Sequence, residues 1–296
     1  MTSFLAIANA DAGSADEDTI EQVVELLGRG ADVELVETSS PEDLAAALDV
    51  RPGIDGVVVL GGDGSLHAVV EALRSGDRLG DVAIGLVPLG TGNDFAATLA
   101  LPEDGLEAAG VIAAGRTRQI DLIIDAQDHV VVNAAHIGIG AEAARIAGPW
   151  KKALGPVGYV IGAAISGARG LTQTGARLEI TVDGTTLDRK EPVIQLAVGN
   201  GRFVGGGAPL LPQADPSDGE LDIAVAYTES PRRRIAYARS IRRGDHHRRD
   251  DVVYVRGTRV SVRGDELACT SDGELSPPAA EYAWRIEPGV LTMYVP

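Results

Sequence analysis

Two apolar runs in the first third of the chain each end in a glycine-rich loop that carries an aspartate. Residues 57–60 lead into the loop 61–65, with the sequence GGDGS, and residues 82–87 lead into the loop 90–94, with the sequence GTGND. An apolar run without polar residues is typical of a parallel strand covered on both faces, and a helical pattern follows each loop. This strand–loop–helix pattern predicts an α/β fold with an open, mostly parallel sheet. Both loops fall at the carboxyl ends of their strands, where ligands bind in such sheets.

The chemistry of the two loops suits a phosphate chain. Glycine lets backbone N–H groups approach a phosphate without a Cβ atom in the way, and the N-terminus of the following helix adds partial positive charge. An aspartate in such a loop repels phosphate unless a cation lies between them, so Asp63 and Asp94 predict a nucleotide–Mg²⁺ site and a phosphotransferase. Two simpler interpretations stay open. Asp63 could be a turn residue that bonds its own backbone, and Asp94 could cap the helix that carries Phe95.

Composition narrows the classes of protein. The chain has 296 residues and a formal net charge of −17, and this charge argues against nucleic acid as the main partner. Cys269 is the single cysteine, which excludes an internal disulfide and a cysteine-based metal cluster. The weakly polar stretch 153–168 is interrupted by glycine and proline and is short for a membrane span, so we expect a cytoplasmic protein. The scarcity of lysine suits a high-salt cytoplasm, although a GC-rich genome gives the same bias.

The character of the sequence changes near residue 125. Residues 1–125 alternate strands and helices, which predicts an α/β nucleotide-binding domain. Residues 126–296 are dominated by short β-like runs, with helical patches at about 141–166 and 232–243, and they predict a mainly antiparallel β domain. Whether a C-terminal segment returns to the first domain is left open.

Short blocks along almost the whole chain resemble the diacylglycerol kinase catalytic family, which includes soluble bacterial lipid kinases and sphingosine kinases. In chain order the blocks are residues 9–13 (NADAG), 61–66 (GGDGSL), 88–96 (PLGTGNDFA), 115–121 (GRTRQID), 199–207 (GNGRFVGGG), 218–222 (DGELD) and 271–274 (SDGE). Three departures from the family pattern stand out: Ser65 replaces threonine, His67 stands where asparagine is expected, and Ala10-Asp11 replaces a proline-containing pair.

The resemblance implies an ATP- and Mg²⁺-dependent lipid kinase that phosphorylates a hydroxyl of a diacylglycerol-like lipid in the cleft between the two domains. It makes Glu274 the general base and places Asp121 with Asp63 and Asp94 in the catalytic site, in an aspartate–water–Mg²⁺ arrangement. The residues expected to bind the nucleotide are Asn9, Gly13, Thr38, Gly61, Gly62, Asp63, Gly64, Ser65, Thr91 and Asn93.

The resemblance also implies a structural Mg²⁺ in the acidic turn 215–220. The ligands would be the side chain of Asp218 and backbone carbonyls near Asp215 and Glu220. A solvated turn is the alternative, because oxygen-ligand loops have weak sequence signatures.

Two other functions stay open at this point. An NAD kinase-like phosphotransferase would share the first glycine loop and favour a soluble acceptor. A catalytically weak nucleotide- or lipid-binding regulator would keep the fold, although the retained Asp63, Asp94 and Glu274 argue against it.

Residues 230–251 form an arginine-rich segment with eight arginines and three aspartates. A helix with such a face could contact anionic headgroups at the inner face of the membrane. It could equally pair with the acidic body of the protein. The acceptor lipid and the existence of a homodimer are not determined by the sequence.

Overall fold

The computed structural model describes residues 2–9, 17–51, 53–138, 175–227 and 230–296. Gly13 and the helical patch expected at 141–166 lie outside these residues.

The first part of the chain alternates strands and helices, as the sequence predicts. Its elements are β1 Thr2–Asn9, α1 Glu17–Gly28, β2 Ala31–Thr38, α2 Pro41–Asp49, β3 Gly56–Gly61, α3 Asp63–Ser75, β4 Ala83–Pro88, α4 Asp94–Thr98 and α5 Gly105–Ala114. The strands lie in the order β2-β1-β3-β4 and pair in parallel. Every residue of β3 is buried, which agrees with its unbroken apolar sequence.

Local signals explain where the helices begin and end. Ser40 caps α2 by accepting a hydrogen bond from the backbone N–H of Asp43 at 3.1 Å, and Pro41 occupies the first turn. Asp104 caps α5 in the same way. Helix α5 ends at Gly115, which has a φ of 73° that glycine adopts without strain.

The rest of the chain is mainly β. Its elements are β5 Thr117–Asp125, β6 Val130–Val131, β7 Ala134–Gly138, β8 Leu178–Val182, β9 Thr185–Thr186, β10 Gln195–Gly199, β11 Leu221–Ala226, α6 Pro231–Arg243, a 3₁₀-helix His246–Arg248, β12 Val252–Gly257, β13 Arg259–Leu267, β14 Cys269–Ser271, β15 Glu274–Leu275 and β16 Ala279–Tyr294. Within the described ranges, β12, β11, β10, β7, β14 and β15 form an antiparallel sheet in that order.

The long strand β16 joins the two parts of the fold. Its end pairs in parallel with β4, at Thr292 with Ala83. Its other stretches pair in antiparallel fashion with β5 and β13. The sheet that begins at β2 therefore continues through β16 into the antiparallel part of the molecule.

Apolar side chains fill both faces of the parallel sheet and the space between the two β sheets. One core packs Ile7, Val59 and Leu86 against α3, and another packs Phe4 and Leu60 against α1 and α5. A third core lies between the sheets of the second part and includes Ile123, Leu196 and Trp284.

The predicted fold class is confirmed: an α/β unit with a mostly parallel sheet is followed by an antiparallel β sandwich. No helix among the described residues is long and apolar enough to cross a membrane.

Candidate active site

The two glycine-rich loops lie against each other at the carboxyl ends of β3 and β4. A Cβ atom on Gly90 would lie 2.6 Å from the Cα of Gly62, and one on Gly62 would lie 3.0 Å from the Cα of Gly90. Any larger residue at these two positions would push the loops apart. Glycine is therefore needed here for the close approach of two backbones.

Asp63 joins the two loops. Its Oδ2 accepts a hydrogen bond from the backbone N–H of Asp94 at 3.0 Å, and its Oδ1 accepts one from Phe95 at 2.9 Å. The carboxylate of the first loop thus caps the helix of the second loop. Neither simple interpretation of the two aspartates is right, because Asp63 bonds a distant backbone and Asp94 does not cap its own helix.

Asp94 reaches into the second part of the molecule. Its Oδ1 accepts a hydrogen bond from the N–H of Gly207 at 2.6 Å, and its Oδ2 accepts one from Gly206 at 3.0 Å. Gly206 and Gly207 have φ values of 85° and 98°, which explains a glycine run at this position. The side chain is buried, and burial raises the pKa of Asp94, against the lowering effect of these hydrogen bonds.

The N-terminus of α3 has no side-chain cap. Its N-cap residue is Gly62, so the N–H groups of the first turn lack intrahelical partners and point out of the helix end. A Cβ on Gly64 would meet no described residue within 4 Å, and Thr91 and Gly92 of the neighbouring loop are exposed. This end of the sheet is an open surface that fits the phosphates of a nucleotide.

Three further residues expected at the nucleotide site lie at the same edge of the sheet. Asn9 and Thr38 are partners in register at the ends of β1 and β2. Asn93, with a φ of 51°, donates hydrogen bonds to the carbonyls of Pro88 at 3.2 Å and Gly90 at 2.9 Å. Its Oδ1 is enclosed and has no hydrogen-bond partner among the described residues.

Glu274 is exposed and lies just after a tight hairpin turn. The turn residues Asp272 and Gly273 connect β14 to β15 and have φ values of 47° and 88°. The side chain of Asp272 does not point to solvent, since it is only 2% exposed. It accepts hydrogen bonds from the backbone N–H groups of Val132 at 2.7 Å, Asn133 at 2.9 Å and Ala134 at 3.1 Å. The hairpin that carries Glu274 is therefore held firmly against the start of β7.

Comparisons with known proteins agree with this geometry. The family model described as "Diacylglycerol kinase catalytic domain" matches residues 3–124. The model described as "YegS C-terminal NAD kinase beta sandwich-like domain" matches residues 133–295. A protein of Stenotrophomonas maltophilia named "Probable lipid kinase YegS-like" is 34% identical over 225 residues, which cover 72% of this chain and 70% of that protein. This chain belongs to the diacylglycerol kinase family of lipid kinases.

Other members of the family match over more of the chain. A diacylglycerol kinase of Mycobacterium tuberculosis is 30% identical over 280 residues, which cover 90% of this chain and 86% of that enzyme. A crystal structure of a diacylglycerol kinase from Bacillus anthracis has a TM-score of 0.73 and 20% identity, and the alignment covers 100% of this chain and 97% of that one. The last similarity concerns the fold. The predicted family and enzyme class, a phosphotransferase, are confirmed.

In this member of the lipid kinase family, Asp121 lies against the acidic turn and not against Asp63. Its Oδ2 accepts a hydrogen bond from the N–H of Gly219 at 2.7 Å, and its Oδ1 accepts one from Gly289 at 2.8 Å. Burial raises the pKa of Asp121, and the nearby charge of Asp218 raises it further. These contacts fasten the turn to a bulge of β16, and a catalytic role for Asp121 stays a prediction.

The acidic turn already has a cation in contact with it. The guanidinium of Arg256 on β12 forms ion pairs with Asp218 and, at 3.0 Å, with Glu220. Asp215 accepts a hydrogen bond from the hydroxyl of Ser217 at 2.7 Å. In the part of the chain that the structure describes, no group of three or more His, Cys, Asp or Glu side chains could hold a metal ion. The guanidinium offsets part of the negative charge of the turn, and Mg²⁺ in the turn stays a prediction.

Sequence reasoning missed three partners in the site. From the sequence, Gly206, Gly207 and Asp272 are visible only as members of blocks that resemble the family. The pair Asp272-Gly273 is typical of a hairpin turn. Nothing in the sequence pattern indicated that the side chain of Asp272 is buried. His67 departs from the family pattern in the sequence, but only the structure shows its contact with Asp272.

Proposed function

We propose that this lipid kinase transfers a phosphoryl group from ATP, with Mg²⁺, to a hydroxyl of a diacylglycerol-like lipid. The observation that carries the proposal is the attachment of the Glu274 hairpin to α3. His67 on α3 lies 2.9 Å from the carboxylate of Asp272, two residues before Glu274. An exposed carboxylate is thereby held near the helix end that fits phosphates.

The nucleotide would bind with its phosphates on the uncapped end of α3. The N–H groups of the first turn supply partial positive charge there. Asp63 and Asp94 are the residues that would hold Mg²⁺, directly or through water. Each oxygen of Asp63 accepts one backbone N–H and keeps a lone pair for a further partner. When bound, Mg²⁺ offsets the charge of the phosphate oxygens.

Glu274 would take the proton from the attacking hydroxyl. A carboxylate can serve as base in phosphoryl transfer when it is positioned within hydrogen-bond reach of that hydroxyl. Its exposure leaves it free to meet a lipid. A cavity of about 270 Å³ opens beside the hairpin and is lined by residues that include Ser271, Ser276, Tyr282 and Trp284, which supports an acceptor with an apolar portion.

The test is transfer of labelled phosphate from ATP to defined lipids, resolved by thin-layer chromatography, with NAD as a parallel acceptor. We expect a labelled lipid product that requires Mg²⁺ and disappears in Glu274→Gln. Labelled NADP would favour the NAD kinase alternative. Binding of ATP without any transfer would favour the regulator.

We also propose peripheral contact of the enzyme with anionic membrane through the arginine-rich segment. Arg239, Arg243 and Arg248 line a cavity of about 300 Å³ beside α6, and none of them forms an ion pair with a described residue. By contrast, Arg233 pairs with Asp250 at 3.0 Å and with Asp251 at 3.4 Å. The segment thus divides into locally paired arginines and arginines available to a headgroup phosphate.

A further inference from the structure

His67 connects the first glycine loop with the hairpin of the general base. It lies on α3, one turn after Asp63. Its Nδ1 lies 2.9 Å from the Oδ2 of Asp272, and the two residues are 205 positions apart in sequence. The imidazole is half-buried, with 20% of its side chain exposed, while the side chain of Asp272 is almost fully buried. The contact between His67 and Asp272 is therefore largely shielded from solvent.

Among the described residues, the other hydrogen bonds of Asp272 come from backbone N–H groups, so His67 is its side-chain partner there. The three backbone N–H donors from 132 to 134 anchor the carboxylate to β7 and to the turn before it. They do not connect it to α3. The imidazole supplies that connection, so the spacing between the helix end and the hairpin depends on it.

The charges around His67 favour its protonated form. The hydrogen bond to Asp272 raises the pKa of His67, burial opposes this, and the charges of Asp272, Glu274 and Glu71 raise it further. Asp272 and Glu274 face the ring from the hairpin, and Glu71 lies on its own helix. A protonated ring donates a charge-assisted hydrogen bond, which is stronger than a neutral one.

We propose that His67 is a positioning residue for phosphoryl transfer, which through Asp272 sets the distance between the phosphate-binding end of α3 and the carboxylate of Glu274. The inference rests on the proposed function, because it gives Glu274 the role of base. His67 itself touches neither substrate in this account. His67 affects the position of the base relative to the phosphates. Phosphoryl transfer is sensitive to displacements of about 1 Å in that position.

Two substitutions separate position from charge. His67→Ala removes the contact, and we expect kcat to fall roughly 10- to 100-fold with an unchanged KM for ATP. His67→Asn places an amide N–H at about the position of Nδ1, so the donor is kept and the titratable group is lost. We expect His67→Asn to recover kcat to within about threefold of the unmodified enzyme.

The pH profile gives a readout that a merely structural role would not move. In the unmodified enzyme kcat should decline by at most about threefold as pH rises through the pKa of His67, because the neutral ring still donates from Nδ1 but its hydrogen bond to Asp272 is no longer charge-assisted. In His67→Asn this decline should be absent. Arg29 is a control away from the site, since its guanidinium lies 3.2 Å from the Oε1 of Glu25 in an exposed pair at the C-terminal end of α1. Arg29→Ala should leave kcat and its pH profile unchanged.

The outcomes distinguish this inference from the proposed function. No lipid phosphorylation by the unmodified enzyme would overturn the proposed function. Normal kcat in His67→Ala, or equal losses in His67→Ala and His67→Asn, would overturn the positioning role. A titration of the imidazole by ¹⁵N NMR adds a measurement independent of activity: Asp272→Asn should lower the pKa of His67, and no change would overturn the coupling.

Discussion

The carboxylate of Asp63 and the backbone N–H of Asp94 form a hydrogen bond of 3.0 Å that locks the two glycine-rich loops together. A second hydrogen bond, which the N–H of Phe95 donates to the Oδ1 of Asp63, completes the cap of α4. The same aspartate is thus both a candidate cation ligand and a structural clamp, and its replacement has to be interpreted in both ways.

For Asp63→Asn we expect a strong loss of turnover together with a loss of stability. The amide keeps one acceptor oxygen and turns an NH₂ group toward a backbone donor, which should cost about 1–2 kcal/mol. Asp104→Ala is the matched control, because Asp104 caps α5 by accepting hydrogen bonds from the N–H groups of Leu106 and Glu107. The control should lower the melting temperature and leave turnover intact. Full activity of Asp63→Asn would remove Asp63 from the mechanism.

For Glu274→Gln we expect kcat to fall by ~10²–10⁴ while nucleotide binding stays nearly unchanged, because the amide cannot accept the hydroxyl proton. Glu266→Gln, at an exposed position on β13, should behave as the unmodified enzyme. Steady-state kinetics and calorimetric titration with ATP measure the two quantities. Weakened ATP binding with a normal kcat would show that Glu274 belongs to the nucleotide site.

Replacement of the arginines that line the cavity beside α6 and replacement of the locally paired arginines should have different effects on vesicle binding, measured by sedimentation. Replacing Arg239, Arg243 and Arg248 by Gln should weaken binding to anionic vesicles by about 1 kcal/mol per charge at low salt. The effect should shrink as salt rises, because screening shortens the range of the attraction from ~8 Å at physiological ionic strength to ~3 Å at 1 M.

Arg233→Gln is the control for this experiment. It breaks the contacts with Asp250 and Asp251, so it should lower the melting temperature and keep the vesicle affinity. Arg234 is also buried, so a joint replacement of residues 232–234 would mix the two effects. Equal binding of the unmodified protein to neutral and anionic vesicles would contradict the docking role.

Because His136 is held neutral in the folded protein, we expect the free energy of unfolding to be lower in mild acid than at neutral pH. Burial lowers its pKa from 6.5 to about 4, and its Nδ1 is enclosed without a hydrogen-bond partner in the described ranges. Between these two pH values the unfolded chain binds a proton at this histidine more readily than the folded chain does. The free energy of unfolding therefore increases as pH rises and decreases as pH falls. The contribution is on the order of 3 kcal/mol.

Urea unfolding at several pH values tests this. His136→Gln should show a shallower decline of stability between pH 6.5 and 4 than the unmodified protein, and His129→Gln should not. Parallel curves for all three proteins would show that His136 is not held neutral.

Chelation of divalent ions should stop transfer without melting the acidic turn. Arg256 forms ion pairs with Asp218 and Glu220 and offsets part of their negative charge, so addition of EDTA should change the melting temperature of the unmodified enzyme little. Arg256→Gln should melt at a lower temperature and regain part of the loss with Mg²⁺. A fall in the melting temperature of the unmodified enzyme with EDTA would place a structural ion in the turn.

The sequence predicted the local structure around the site well. The unbroken apolar residues 57–60 lie in β3, residues 83–87 of the second apolar run lie in β4, and the helical patch at 232–243 lies in α6. These features depend on neighbouring residues and on periods of two or 3.6 residues, which a single chain displays directly. The position of the glycine loops follows from the same patterns.

Contacts between residues that lie far apart in the sequence were beyond sequence reasoning. Asp94 bonds Gly206, which is 112 positions away, and Arg256 pairs with Asp218 from another strand. No periodicity relates such residues, because their approach depends on how whole sheets pack. The glycine-rich loops identified Asp63 and Asp94 as candidate site residues. The loops did not indicate that both side chains accept hydrogen bonds from distant backbone N–H groups.

The pairing of β16 with β4 has a consequence for synthesis of the chain. Thr292 reaches Ala83 only after about 200 further residues have been made, which takes roughly 10–40 s at a translation rate of about 5–20 residues per second. Throughout that time the edge of β4 has no strand partner on this side, and an open edge can recruit another chain. We therefore expect the nascent protein to depend on chaperones for longer than a unit with a self-contained first sheet.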